Sequence, residues 1–592
     1  MSLMVALLSL ALGAATPAED AGQVDLRRAG PRALHSPADA APPTRPPGGA
    51  TAARPAALGP GPTAGDLRAS GVVHFDVTCR PEVEPDFQTA VALLHSFFYE
   101  EARARFEEIA RRDPECAMAW WGVAMTWYHP LWAAPTPAEM AAGAAAAEQA
   151  RAIGGRSELE RGWIDAIGAY FGAEERPAKP DPAAVSCHGP RTPGARAEAF
   201  RAALDELRRK HPGNLEVAVF YSLSLLATAP PTDRTYGNQL LATGILEPLF
   251  ETNPDHPGIP HYIIHAYDYP SLASRGLDAA RHYGGVAPWV PHALHMPSHI
   301  YTRLGMWADS IEANLASADA SRTYTARVAT GTAWYEELHA LDYLVFAYLQ
   351  RAEDRKAGEV LEYVRKLRGF HQPNFAAAYA LGAMPARYAL ERHRWKDAAS
   401  LAALHPDVIE AYPFALAHIE FARAVGAARS GSVQVARRAS GRLGELRDAL
   451  VGPQFAWWID QVEIQRLAAS AWIARAERQD AEALRLLGAA VELETRAGTH
   501  PVTPGQILPA NEQLGDLLVQ LGRPAEALVA YEKSLEAFPN RFNGHFGAAR
   551  AAELAEQPAR AREHYARLSQ MAAPGDGRRA ELARAREYLA RR

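Results

Sequence analysis

The sequence predicts an all-α fold built from stacked antiparallel helix pairs. Apolar residues recur at helical spacing through most of the 592-residue chain, and strand-like alternation is almost absent. Short breaks at Gly, Pro and Asn separate one helical segment from the next. A chain of this length is too long for one compact core, so we expect several domains or an elongated repeat array.

The composition is that of an ordinary folded protein and excludes some partners. Apolar residues make up 48% and charged residues 22% of the chain. The 62 Lys and Arg against 68 Asp and Glu leave a net charge of -6, which argues against nucleic acid as the main partner. After the N-terminal region no segment is apolar and long enough to predict a membrane span.

The first 18 residues resemble an export signal. Residues 3–12, LMVALLSLAL, form a short apolar core, and Gly13, Ala14 and Ala15 supply the small residues of a cleavage site. No Lys or Arg precedes the apolar run, so a weakly apolar, disordered tail is the alternative interpretation. Cleavage at this point predicts a periplasmic or secreted protein.

The rest of the chain divides by composition. Residues 19–70 are rich in Pro and Ala, bury too little apolar surface to fold, and are predicted to be a disordered leader. The expected order after it is as follows: N-terminal helix pairs over 71–174, a Pro-rich loop over 175–195, central helix pairs over 196–450, and C-terminal repeats over 451–592.

Three cysteines leave at least one without a partner in the same chain. Cys79 and Cys116 could form a disulfide in an oxidising compartment. The alternative, slightly preferred from sequence, is a pair of buried thiols that pack as small apolar residues. Cys187 lies in the Pro-rich loop.

Three 34-residue blocks share one frame of small, large and turn residues. The clearest is 508–541, with Gly515, Gly522, Ala527, Tyr531 and Pro539. The frame recurs in 542–575 through Ala549, Ala561 and Tyr565, and in 83–116 through Ala90, Ala102, Phe106 and Pro114. These placements resemble the tetratricopeptide repeat. The resemblance implies a right-handed α-solenoid over most of residues 70–592, with a concave groove that binds a protein or peptide segment.

Several strings also resemble those of a large bacterial group of tetratricopeptide-repeat proteins without an assigned activity. They include LLHSFFYEEA, AMAWWGVAM, HYIIHAYD and HALHMPSHIYTRLG. That resemblance implies a fold and an interaction role, and it implies no reaction.

Histidines concentrate in the middle of the chain, in three consecutive repeats. In tetratricopeptide repeats, which this chain resembles, the second, fifth and ninth residues of the first helix in each pair face the groove. A frame set on Gly305 and Asn314 starts one repeat at Pro291, and the following repeat starts at Leu338. The residues that this frame and the helical spacing place on the groove are His261, His265, Asp268, His292, His295, His299, His339 and Asp342, with His95 and His129 near the ends of earlier first helices.

Two functions fit this pattern. One is an exported scaffold whose His-rich groove binds a protein or peptide. The other is a metal-binding protein or metalloenzyme, in which Asp268 or Asp342 completes a site for Zn, Fe, Cu or Mn. The candidate metal ligands are His261, His265, His295, His299 and His339. No HExxH or CxxC framework is present. Pro297 lies between His295 and His299, and a helix that begins there would leave His292 and His295 in the preceding loop.

Overall fold

The structure is a computed structural model of the chain, and it describes residues 70–131, 134–172, 194–230, 233–452, 455–500 and 502–591. The predicted signal peptide, all but the last residue of the predicted leader, Cys187 and nearly all of the predicted Pro-rich loop lie outside the described residues. The described part confirms the all-α prediction: it is a solenoid of helix pairs.

The N-terminal helices occur in short, regularly connected pairs. They are α1 (Glu84–His95), α2 (Tyr99–Arg112), α3 (Ala117–Met125), α4 (Pro137–Ile153), α5 (Glu158–Gly172), α6 (Ala195–Lys210), α7 (Leu215–Ala227) and α8 (Gly237–Thr252). Side-chain caps explain where two of these helices begin. Thr136 and Glu139 form a reciprocal capping box at the start of α4, and the Asn214 side chain accepts from the backbone of Val217 at the start of α7.

The central helices carry the histidine-rich strings. They are α9 (Gly258–Tyr267), a 3₁₀ turn (Ala273–Gly276), α10 (Leu277–Val286), α11 (Pro291–His295), α12 (Pro297–Arg303), α13 (Trp307–Val328), α14 (Tyr335–Gln350), α15 (Asp354–Lys366), α16 (Phe375–Leu390), α17 (Trp395–Ala399) and α18 (Pro406–Ile409). Two short strands, β1 (Ala333–Trp334) and β2 (Phe370–His371), pair in parallel and flank α14 and α15.

The C-terminal helices are the most regular. They are α19 (Pro413–Arg429), α20 (Val433–Asp448), α21 (Ala456–Ala476), α22 (Asp480–Ala497), α23 (Ala510–Gln520), α24 (Pro524–Ala537), α25 (Phe542–Leu554), α26 (Pro558–Met571) and α27 (Ala580–Ala590). Within the described residues, no helix is long and apolar enough to cross a membrane.

Small residues let neighbouring helices approach, as the repeat frame predicts. A Cβ placed on Gly515 or Gly547 would meet the ring of Tyr531 at 2.7 and 2.2 Å, so both glycines make room for that ring. In the N-terminal repeats the same relation joins Gly122 to Phe106, with 2.3 Å between the added Cβ and the ring. Large residues therefore interlock with glycines from neighbouring helices.

The C-terminal repeats pack back against the central ones through buried ion pairs. Arg541 donates from Nη2 to Glu391 at 2.6 Å and from Nε to Glu512 at 2.6 Å. Arg579 donates from Nη2 to Asp354, also at 2.6 Å. Each of these guanidinium groups is nearly inaccessible to solvent, so the contacts are part of the interior.

The loop between α22 and α23, residues 498–509, runs through the interior; we call it the inner segment. Apart from the undescribed Pro501 and a few partly exposed positions, its residues are buried. Arg387 donates from Nη2 to the Gly505 carbonyl at 2.7 Å, and the Phe346 ring packs against the same glycine. The central helices therefore already contact a buried loop from the C-terminal part of the chain.

Cys79 and Cys116 are joined by a disulfide. The preference for two free thiols was wrong. The two cysteines are 37 residues apart in sequence, and the fold of α1 and α2 brings their Cα atoms to 4.8 Å, a proximity that composition alone does not reveal.

Candidate functional site

The histidines singled out by the sequence come together inside the central repeats. Apart from the part-exposed His129, every predicted groove residue is at most 7% exposed. The inner segment contacts this region, because the Arg303 guanidinium on α12 donates to the carbonyls of Thr503 and Pro504 at 3.3–3.4 Å. The sequence placed these side chains on an open groove, whereas in the structure nearly all of them are buried.

Pro297 ends one helix and begins the next without redirecting the chain. Met296, between α11 and α12, has φ −52° and ψ −39°, which are helical values. The first helix begins at Pro291, as the repeat frame predicts. His295 and His299 therefore keep their one-turn relation, and their Nε2 atoms lie 3.0 Å apart.

His261, His265 and His292 form one cluster, which we call the first triad. One nitrogen from each lies within 4.8 Å of the others. The Nε2 atoms of His261 and His265 are 3.1 Å apart, and Nδ1 of His261 donates to the backbone carbonyl of His95 at 2.6 Å. The ring of Phe97 packs against all three imidazoles.

His295, His299 and His339 form the second triad. Again one nitrogen from each lies within 4.8 Å of the others. His339 comes from α14, which begins at Tyr335 and not at Leu338 as the frame predicted, because the chain already becomes helical after the short strand β1. The structure divides the predicted row of His292, His295 and His299, since His292 joins the first triad while His295 and His299 belong to the second.

Burial keeps the imidazoles of His261, His295, His299 and His339 neutral near neutral pH. Loss of solvent lowers the pKa of His295 to about 4. Burial is also the largest cause that lowers the pKa of His261, His299 and His339 well below the ordinary histidine value, and the neighbouring imidazoles add to it. A neutral imidazole has one nitrogen that donates and one that accepts, so each ring's partners define its tautomer.

The two predicted aspartates lie beside the triads and are held by arginines. Asp268 accepts from Nδ1 of His299 at 2.8 Å and from Nε of Arg303 at 2.9 Å. Burial raises the pKa of Asp268, and the charge of Arg303 opposes that rise. Asp342 forms a fully buried ion pair with Arg387. Neither carboxylate belongs to a triad.

His95 belongs to a third buried cluster, with two residues that the sequence analysis missed. Its Nε2 lies 2.9 Å from Glu216 Oε2, and His256 Nε2 lies 3.0 Å from the other oxygen of that carboxylate. Burial alone would raise the pKa of Glu216, but the charges and hydrogen bonds of the two histidines lower it. His256 lies five residues before the string HYIIHAYD, and this closeness to the other histidines could have indicated that it belongs to a buried cluster. His129 is apart from these clusters and packs on Tyr99.

The triads suit a metal better than they suit a peptide. Three imidazole nitrogens within a few ångströms are a donor set that Zn, Fe, Cu and Mn accept. The same nitrogens belong to buried side chains, so they do not face an incoming polypeptide. The third cluster is instead satisfied internally by its own carboxylate.

Comparison with known proteins assigns no family to the chain. Neither a protein-family model nor a curated protein matches the sequence. Among solved structures, the chain is similar to the crystal structure of the yeast Tom70, at 11% identity and a TM-score of 0.31. The similarity covers 85% of this chain and 92% of that one. At this level of agreement it carries no argument about function.

Proposed function

We propose that the protein is an exported, tetratricopeptide-like scaffold that binds an acidic segment of another protein. The observation that carries the proposal is an open pocket of about 380 Å³ on the C-terminal repeats. It lies beside the C-terminal ends of three alternate helices, α19, α21 and α23. Its principal side chains are Trp395, Arg429, Trp472, Arg475, Arg478 and Gln520.

The pocket offers aromatic faces beside positive charge. The Arg429 guanidinium is held between the rings of Trp395 and Trp472, 4.0 and 4.2 Å from their centroids. Its Nη1 also donates to Asp516 at 2.8 Å, which fixes its orientation. The exposed Arg478 lies at the rim. Such a surface suits a carboxylate next to an apolar or aromatic side chain.

The inner segment supports the idea that this scaffold recognises polypeptide backbone. Arg303 and Arg387 already donate to backbone carbonyls of that segment. Guanidinium groups presented by inner helices are therefore able to hold a peptide backbone. The proposed partner would use the pocket on the C-terminal repeats, because the inner segment already contacts the arginines of the central ones.

Export rests on two features. The apolar run followed by small residues at the N-terminus has the form of a signal peptide. The disulfide between Cys79 and Cys116 is a bond that persists in oxidising compartments. A fusion of residues 1–70 to alkaline phosphatase, which is active only after export, tests this part; an inactive, cytosolic fusion would contradict it.

The binding proposal is tested with the full chain and fluorescein-labelled dodecapeptides that combine two Glu with one Trp or Leu. We expect saturable binding by fluorescence anisotropy, weakened at least about tenfold by Trp395→Ala and by Arg478→Glu. Arg485→Glu, on the exposed face of α22, is the matched charge control and should bind as the unaltered protein does. Equal binding by all variants, or no binding of any acidic peptide, would refute the pocket.

A further inference from the structure

The second triad contains two imidazole nitrogen atoms that face each other at hydrogen-bonding distance. The Nε2 atoms of His295 and His299 are 3.0 Å apart in the interior of the central repeats. At that distance one of the two normally donates a proton to the other. Whether it does so depends on the tautomer of each ring, and the opposite nitrogens define both tautomers.

His299 carries its proton on Nδ1. That atom lies 2.8 Å from Oδ2 of Asp268, and the other carboxylate oxygen accepts from Nε of Arg303. A carboxylate paired with a guanidinium only accepts, so the imidazole must donate. Nε2 of His299 therefore presents a lone pair.

His295 carries its proton on Nδ1 as well. That atom lies 2.6 Å from Oδ1 of Asn314. The orientation of the amide is defined by its other end, because Nδ2 donates to the Ser310 carbonyl at 2.7 Å, and a backbone carbonyl only accepts. Nε2 of His295 therefore also presents a lone pair, and the two lone pairs point toward one another.

Two facing lone pairs in a dry interior repel unless a cation lies between them. The third imidazole, His339, approaches from α14 with its ring centroid 4.4 Å from that of His295 and 6.2 Å from that of His299. The three rings thus offer nitrogen donors from two helical segments to one small volume. Tyr343 closes the side toward α14, 4.8 Å from His295 between ring centroids.

The geometry points to a divalent first-row transition-metal site formed by His295, His299 and His339. Such ions bind imidazole nitrogens at about 2.0–2.1 Å, which places neighbouring ligand atoms about 3.3 Å apart in a tetrahedral site. The observed 3.0 Å needs only a small opening of the two rings. The donors are nitrogens alone, so Mg²⁺ and Ca²⁺, which prefer oxygen, are excluded as occupants.

The surroundings of the triad are those of a metal centre. Ligating histidines usually donate their second ring nitrogen to a carboxylate or carbonyl, which orients the ring and makes the ligating nitrogen more basic. Asp268 and Asn314 serve His299 and His295 in this way. Arg303 then ties Asp268 to the inner segment, so that segment and the site form one hydrogen-bonded unit.

In the first triad the Nε2 atoms of His261 and His265 lie 3.1 Å apart, and Nδ1 of His261 donates to the backbone carbonyl of His95. The proposal is confined to the second triad, where Asp268 and Asn314 define the tautomers of both facing imidazoles.

The test uses the full chain, stripped with a chelator and then loaded with Zn²⁺ or Co²⁺ alone. We expect stoichiometric metal by elemental analysis after desalting, and Zn X-ray absorption that shows imidazole nitrogens at about 2.0–2.1 Å. With Co²⁺ we expect the intense visible bands of a four-coordinate ion. Metal-loaded protein should also melt at a higher temperature than the stripped protein, because the ion binds the folded state.

The variants locate the ion. His299→Gln should lose one equivalent of metal relative to the unaltered chain, together with the Co²⁺ bands. His418→Gln, at another buried histidine outside the triads, is the matched control and should retain both. Folding of each variant is checked by circular dichroism without metal. Two results overturn the site: loaded protein that holds no stoichiometric metal, as expected if a shared proton separates the rings, or His299→Gln that keeps the full complement.

Discussion

Arg541 provides the sharpest test of how the C-terminal repeats are held. Its guanidinium is 1% exposed and lies between two carboxylates, Glu391 at 0% and Glu512 at 6%. Arg541→Met deletes the hydrogen bonds to both carboxylates at once and leaves two buried carboxylates without their shared guanidinium. Breaking a buried pair in this way costs about 3–5 kcal/mol.

The loss should appear as local opening, because a long repeat array does not unfold in one step. Helix α25 follows Arg541 directly, and the amide of Phe542 donates to Gln350 on α14. We expect native-state hydrogen exchange of the α25 amides to accelerate by about 100- to 4000-fold, the equivalent of that free energy.

The effect should depend on pH with a defined sign. Burial already raises the pKa of Glu512 in the unaltered protein, and without the charge of Arg541, which opposes that rise, the pKa of Glu512 rises further. The folded-state pKa then exceeds the unfolded value, so the folded variant takes up a proton and its stability falls as pH rises. The difference from the unaltered chain should therefore be large at pH 8 and smaller near pH 5.

Two further variants test whether unpaired buried carboxylates cause the loss of stability. Adding Glu391→Gln and Glu512→Gln to Arg541→Met should restore much of the protection, because no buried charge is then left unpaired. Arg485→Met, which breaks an exposed pair with Glu482, should leave exchange unchanged. Unaltered α25 exchange in Arg541→Met, or a loss of equal size at pH 5 and pH 8, would refute the account.

Three other outcomes are expected. Replacing Cys79 and Cys116 by Ala should destabilise the N-terminal repeats by about 4 kcal/mol, as the chain-entropy model gives for a separation of 37 residues; urea-dependent proteolysis measures it, and an unchanged midpoint contradicts it. Gly547→Ala should cost about 1–3 kcal/mol, since its Cβ would lie 2.2 Å from the Tyr531 ring; a melting temperature equal to that of the unaltered chain would count against this packing. Burial raises the pKa of Glu494 to about 8, so its folded form binds a proton that the unfolded chain releases near pH 4–5. Glu494→Gln should accordingly be more stable than the unaltered chain at pH 8, with the difference vanishing near pH 4 in parallel thermal melts.

The positions of the repeat residues were predictable because they depend on the spacing of residues that are close together in sequence. Ala527, Tyr531 and Tyr565 are buried where the 34-residue pattern places them, and helix α11 begins at Pro291 as the frame requires. Each of these positions depends on contacts with the same or the adjacent helix. Periodicity records such contacts directly.

The arrangement of the candidate site was less predictable because it depends on contacts far apart in sequence. The stripes brought His295 and His299 together, but nothing local indicated that the inner segment, about 200 residues later, would contact this region. Small rotations between repeats accumulate along a solenoid, and their sum decides which distant helices meet. The same reason explains why Glu216, the partner of His95 across 121 residues, was missed.

The ion pairs between distant repeats also constrain how such a chain can change in length. In an open array each unit contacts only its neighbours, so a repeat can be duplicated or deleted without disturbing the others. Here Arg541 must reach Glu391 across 150 residues, and Arg579 must reach Asp354 across 225. A duplicated helix pair within either interval would move the arginine one unit past its carboxylate. Duplication and loss of repeats are therefore compatible with this architecture only outside those intervals.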